Sequence, residues 1–119
     1  MGLKQPHKIR VSFNDIEDGE TAEEKFFYNG EHFNGYLVFD YHSDGTVMYE
    51  EEIRDGVVMG WVNEYYNNGN IKRETICMYS IQNTIMFRTY DEDGKETNFG
   101  LLISLQTYEQ YLSEYHLLD

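Results

Sequence analysis

Cysteine, proline, basic residues and long apolar runs are all scarce in this chain. The single cysteine, Cys77, has no partner for an intramolecular disulfide, so nothing asks for an oxidising compartment, and the cytoplasm is the expected address. One proline set against eleven tyrosines, seven phenylalanines and one tryptophan is the composition of a chain that collapses, not of a disordered one. No window approaches the roughly 18 consecutive apolar residues of a spanning helix. The N-terminal MGLKQPHKIRVSF carries basic residues with no apolar run behind them, so neither a signal peptide nor an anchor is expected, and Pro6 stands where a myristoylation signal has Ser or Thr.

Basic residues number 9 against 22 acids, a net charge of −13 and a pI near 4.5. That balance excludes nucleic acid as a natural direct partner and disfavours an anionic membrane surface. It fits a basic protein, because opposite fields steer encounter, and it also serves solubility. Catalytic signatures are missing as well. His7, His32, His42 and His116 are scattered, none at metal-ligand spacing or beside Cys77, and there is no nucleophile elbow or phosphate-binding glycine loop. Asp91-Glu92-Asp93-Gly94 has Leu102 where a calcium loop needs its last glutamate, so it reads as a hairpin turn. No catalytic residue, metal or cofactor is expected.

What is abundant is turn chemistry. Seven of the ten glycines follow Asp or Asn, at Asp18-Gly19, Asn29-Gly30, Asn34-Gly35, Asp44-Gly45, Asp55-Gly56, Asn68-Gly69 and Asp93-Gly94, pairs that tolerate positive φ and suit type I′ turns. Between them lie YLVFDY, TVMYEEEI, GWVNEYY, IKRETICMY and TIMFRTY, rich in β-branched and aromatic residues, which read as strands. Gly45, Gly69 and Gly94 stand 24 and 25 residues apart; Tyr41, Tyr65 and Tyr90 precede them by four residues, and Leu37, Trp61 and Met86 precede the tyrosines by four more. Three columns in phase predict an internal repeat of two strands and two turns. Residues four apart on a strand share a face, so these columns are expected to line one side of the sheet.

The fold class that follows is mainly β with a C-terminal helix, an antiparallel meander of about three 24-residue hairpin repeats spanning residues 26–98 within one domain, 1–119. The flanks differ. Lys8 to Phe13 reads as a strand, and Asn14 to Glu24 holds six acids and no base, a solvated loop or a docking surface for a basic partner. Phe99 to Leu105 reads as a last strand. Beyond it, Thr107 and Gln110 have capping-box spacing, and Tyr108, Tyr111, Leu112 and Tyr115 recur on one helical face, a terminal helix that covers the sheet within residues 99–119.

The segment GWVNEYYNNGNIKRE, Gly60 to Glu74, resembles a unit of the MORN-repeat-variant proteins, a Gly-Trp strand closing in Tyr-Tyr and turning through Asn-Gly into a basic strand that ends in Glu. Gly35 to Glu51 and Thr84 to Glu96 resemble weaker copies, with Thr84 in place of the leading glycine, Met86 in place of Trp61, and Tyr79-Ser80-Ile81 without an Asp-Gly turn. The resemblance implies an immunity or antitoxin protein of bacterial type that binds and neutralises a cognate toxin. The acidity adds that the toxin is basic and nuclease-like, since a protein that blocks phosphate-binding surface profits from imitating phosphate charge. Candidate contacts are Asp40, Glu50, Glu51, Glu52, Glu64, Tyr66, Asp91 and Glu92. The exposed members among Tyr41, Trp61, Tyr65 and Tyr90 could add rigid contact area, although aromatic columns in a small sheet serve first as its core. Two other readings stay open. One is a scaffold or self-association module; the other is a carbohydrate-binding module that stacks sugars on the aromatics.

Overall fold

The computed structural model describes residues 4–18 and 25–118. Its elements in chain order are β1 (Arg10–Ser12), a 3-10 turn (Phe13–Asp15), β2 (Glu17–Asp18), β3 (Phe26–Tyr28), β4 (Glu31–His32), β5 (Gly35–Tyr41), β6 (Val47–Arg54), β7 (Val57–Tyr65), β8 (Ile71–Cys77), β9 (Thr84–Tyr90), β10 (Glu96–Leu101) and helix α1 (Leu105–Glu114). Each strand from β5 to β9 overlaps the run of β-branched and aromatic residues that predicts it. Residues 19–24, most of the expected acidic loop, lie outside the described residues, and with them Gly19 of the Asp18-Gly19 turn pair.

Strands β5 to β10 form a consecutive antiparallel meander, and β1 joins its outer edge parallel to β5, giving the order β1-β5-β6-β7-β8-β9-β10. The main sheet is therefore mixed, which corrects the expectation of a purely antiparallel meander. The parallel pairing arises because the chain leaves β1, folds β2, β3 and β4 into a separate three-stranded sheet, and only then returns to β5 in the direction of β1.

The hairpins use two kinds of turn. Asn29-Gly30 and Asp55-Gly56 have positive φ at both residues, as type I′ turns require. At Gly45, Gly69 and Gly94 only the glycine is left-handed, with φ of +88°, +92° and +90°. Each of these three closes with the same pair of backbone bonds, such as Tyr66 N to Asn70 O at 2.9 Å and Gly69 N to Tyr66 O at 3.0 Å. That is a type I turn with a glycine bulge, the solution for a three-residue loop, and not the I′ turn expected from the dipeptides. Asn34-Gly35 is not a turn at all. Gly35 opens β5 at φ +156°, and a Cβ there would lie 2.6 Å from the Ile9 carbonyl, so glycine permits the close approach of β1's leading segment.

Both faces of the main sheet are covered. On one face Tyr36, Met59, Trp61, Ile76, Met86 and their neighbours pack against Tyr108 and Leu117, with Tyr111, Leu112 and Tyr115 of the α1 face alongside. On the other, Leu37, Ile53, Val11 and Phe33 pack with Phe26, Tyr28 and Phe39, beneath the small sheet. The column Leu37, Trp61, Met86 is fully buried throughout but is split between the two faces. The cause is a register shift in β5 between Val38 and Asp40, because one extra residue between Leu37 and its turn exchanges faces. At the C-terminal end, β10 stops at Leu101, and the α1 N-cap is Ser104, whose hydroxyl accepts from Thr107 N at 3.2 Å; Thr107 itself lies inside the helix. Among the described residues no helix is long and apolar enough to cross a membrane.

Candidate functional site

The three consecutive acids of β6 do not form a surface patch. Glu50, Glu51 and Glu52 are 1%, 7% and 0% exposed, because β6 is an inner strand and alternating residues enter covered faces on both sides. The expectation that this trio offers open contact charge is corrected by that burial. Trp61 is likewise core, with its indole N–H donating to the Leu117 carbonyl at 2.6 Å.

On the α1 face the buried carboxylates form a cross-strand row. Glu50 accepts from Arg10 Nε at 2.6 Å, Tyr65 OH at 2.5 Å and Asn63 Nδ2 at 3.0 Å. Glu74, two strands away, accepts from Arg88 Nε at 3.0 Å, Arg88 Nη2 at 2.8 Å, Tyr90 OH at 2.6 Å and Gln5 Nε2 at 2.6 Å. Glu52 pairs with Lys8 and with Arg54 and accepts from Trp61 N at 3.0 Å. Such carboxylates are tolerated inside because nearly every lone pair meets a donor. Burial, then the neighbouring Glu50 charge, holds the Tyr65 phenol far above its ordinary value; burial and the bond to Glu74 do the same for Tyr90.

This row was legible and was missed. Glu50 and Glu74 each stand five residues after a turn glycine, 24 apart, and each bonds the tyrosine that precedes the next turn. At the corresponding place after Gly94 stands Phe99, 46% exposed on the last strand. Gln5 and Pro6 of the N-terminal segment cross over the row, with Tyr36 OH donating to Gln5 Oε1 at 2.9 Å, and roof a groove of about 440 Å³ whose walls include Lys4, His7, Arg10 and Tyr65.

Glu51 faces the opposite way. Its carboxylate accepts from Tyr49 OH at 2.5 Å, and no Lys or Arg of the described residues pairs with it. Burial therefore pushes its pKa up, with the Tyr49 bond as a partial offset. It lines a groove of about 380 Å³ between Phe26 of the small sheet and the 79–81 segment. Cys77, buried nearby, is also raised by burial.

The remaining expected contacts gather at one end of the meander, where the turns after β5, β7 and β9 lie side by side. Asp40 and Glu92 are exposed there; Glu64, Tyr66 and Asp91 are half-buried; and Asp44 and Asp93 add exposed charge beside Lys72 and Lys95. Side chains join one turn to the next. His42 Nε2 donates to Tyr65 O at 3.0 Å, Tyr66 OH to Tyr90 O at 2.7 Å, and Asn68 and Asn70 both donate to Glu92 O at 2.8 Å. Asp91 spends one oxygen on its own turn, accepting from Asp93 N and Lys95 N. Among the described residues no group of His, Cys, Asp or Glu is placed to hold a metal ion. Comparison with protein-family models, with curated proteins and with solved structures found no match to the chain.

Proposed function

We propose that this chain is a non-enzymatic binding protein that docks its acidic turn end on a basic protein, and that the partner is a cognate, nuclease-like toxin met in the cytoplasm. The observation that carries the reading is the ledge of three turns, on which Asp40, Asp44, Glu64, Glu92 and Asp93 are held in fixed relation by hydrogen bonds between successive hairpins. Pre-ordered charge of one sign lowers the entropic cost of association and steers encounter. The repeat reading is supported by the recurrence of two inter-hairpin bonds at spacings that agree to within one residue: tyrosine hydroxyl to glutamate, 15 and 16 residues apart, and turn side chain to tyrosine carbonyl, 23 and 24 apart. The immunity role rests on the resemblance of Gly60 to Glu74 to the MORN-repeat variant.

The test is growth. The protein encoded beside this one, expressed alone and together with this chain, should be toxic alone and harmless in its presence; a harmless neighbour, or toxicity that persists, refutes the immunity reading. A scaffold or self-association role is favoured by one observation, the open edge of β10 and the link beyond it, where Phe99 on the strand, Leu102 in the link and Leu105 at the start of α1 are 46%, 59% and 59% exposed. Sedimentation of the free protein separates the two, since a scaffold that pairs through this edge forms oligomers and an immunity protein awaiting its toxin sediments as a monomer.

A further inference from the structure

The groove that holds Glu51 differs from the other buried acid sites among the described residues. Four glutamates are buried in the main sheet, and three of them, Glu50, Glu52 and Glu74, each meet an arginine or lysine. Glu51 is 7% exposed and has one neutral donor, the Tyr49 hydroxyl. A carboxylate offers about four lone-pair sites, and Tyr49 is the one side-chain donor this carboxylate meets among the described residues, while Glu51 lines the groove. The groove above it is lined by Phe26, Val57, Val58, Tyr79 and Ile81, with Tyr79 and Ile81 standing 61% and 52% exposed at the rim. Apolar walls, exposed aromatic area and one buried, cation-free carboxylate make a seat for a side chain that is long, flat, partly apolar and positively charged at its tip.

We propose that this groove seats an arginine side chain of the basic protein partner, its guanidinium on the Glu51 carboxylate and its stem against Val58 and Ile81. Arginine suits the seat better than lysine because its planar fork bonds a carboxylate bidentately, stacks on aromatic rings and is more weakly hydrated. Charge complementarity selects a protein partner, given a chain of net charge −13 in which, among the described residues, Glu51 is the one buried glutamate without a lysine or arginine. The proposal rests on the reading of the chain as a binder of a basic protein and names a second contact for it, since the turn end supplies steering and the groove an anchor.

The probe is N-acetyl-arginine amide, titrated into isotope-labelled protein at low salt with N-acetyl-citrulline amide, its neutral isostere, as the control. The expected result is saturable NMR shifts at Gly56, Val58 and Ile81, with a dissociation constant on the order of 1 mM. Binding should weaken about tenfold or more with citrulline and in Glu51→Gln. In the unmutated protein, where folding of the variant is not at issue, the Glu51 carboxyl carbon should titrate at lower pH when the arginine probe is bound, because a cation favours the charged form. Tyr49 and Cys77 adjoin Glu51, both raised by burial, so neither titrates in that range; Tyr79 lines the same groove, and Lys25 lies beside Gly56 at its wall. Equal shifts from citrulline, no shifts at these residues, shifts confined to Asp44, Glu92 and Asp93, or an unmoved Glu51 titration would each overturn the proposal. Since the probe needs no toxin, failure here leaves the growth experiment to stand or fall by itself.

Discussion

Glu74 and Glu51 are both buried carboxylates on the same sheet, yet opposite consequences follow from replacing them. Glu74 is held by Arg88, Tyr90 and Gln5, and Arg88 is itself 7% exposed. Glu74→Ala leaves that guanidinium without its principal counter-ion, and the expected loss is about 3–5 kcal/mol of unfolding free energy, measurable by denaturant titration. Glu51 has no cation to lose. Burial raises its pKa above the ordinary value of 4.5, so the folded chain retains this proton to higher pH than the unfolded chain does. Its favourable contribution is present below the ordinary value and is lost as pH rises through the raised one, which leaves a buried charge as a net cost at neutral pH. Glu51→Gln keeps the shape and a carbonyl acceptor for Tyr49. It should raise Tm at pH 7, with the difference from the unmutated chain closing as pH falls toward 4.5; a Tm lowered at pH 7 would contradict this account of the site.

Hairpins and their turns set the next scale. Gly69 adopts φ +92° with nothing within 4 Å of an added Cβ, so Gly69→Ala costs only backbone strain, about 1–2 kcal/mol. Gly60 also has positive φ, at +110°, but a Cβ there would fall 2.1 Å from Glu52 Oε1. Gly60→Ala must therefore also displace the carboxylate that receives Trp61 N, and it should destabilise clearly more than Gly69→Ala when the two are compared by thermal unfolding. At this scale much was legible, because Asx-Gly pairs delimit the strands and strand composition fills the gaps. The α1 face was legible too, since Tyr108, Tyr111, Leu112 and Tyr115 do meet the sheet. The face of Leu37 was not, because a β-bulge leaves no signature in residue type and reverses every inward residue beyond it. Nor was the parallel pairing of β1, a three-residue strand whose place depends on how the intervening small sheet closes. The acids of β6 misled for a physical reason: a run of glutamates reads as solvated face, and for Glu50 and Glu52 only knowledge of their distant cations, Arg10 at 40 residues and Lys8 at 44 residues remove, turns it into interior.

Taken whole, the molecule separates its charge into two populations. Interior carboxylates are spent on lysine, arginine and tyrosine and contribute to holding β1, the N-terminal segment and the meander together. The field outside comes from exposed acids, those of the turn end among them. This division predicts that changes at the turn end alter association and leave folding intact, because Asp44, Glu92 and Asp93 are exposed. Under the proposed function the turn end steers a basic partner. The most direct test of that steering is the stopped-flow association rate constant with the protein encoded beside this chain, measured from about 20 to about 500 mM salt, for the unmutated chain and for Glu92→Lys with Asp93→Lys. A rate that falls tenfold or more with salt, and that is lowered and made nearly salt-independent by the double reversal, is the predicted result. A rate indifferent to both salt and the reversal would contradict it.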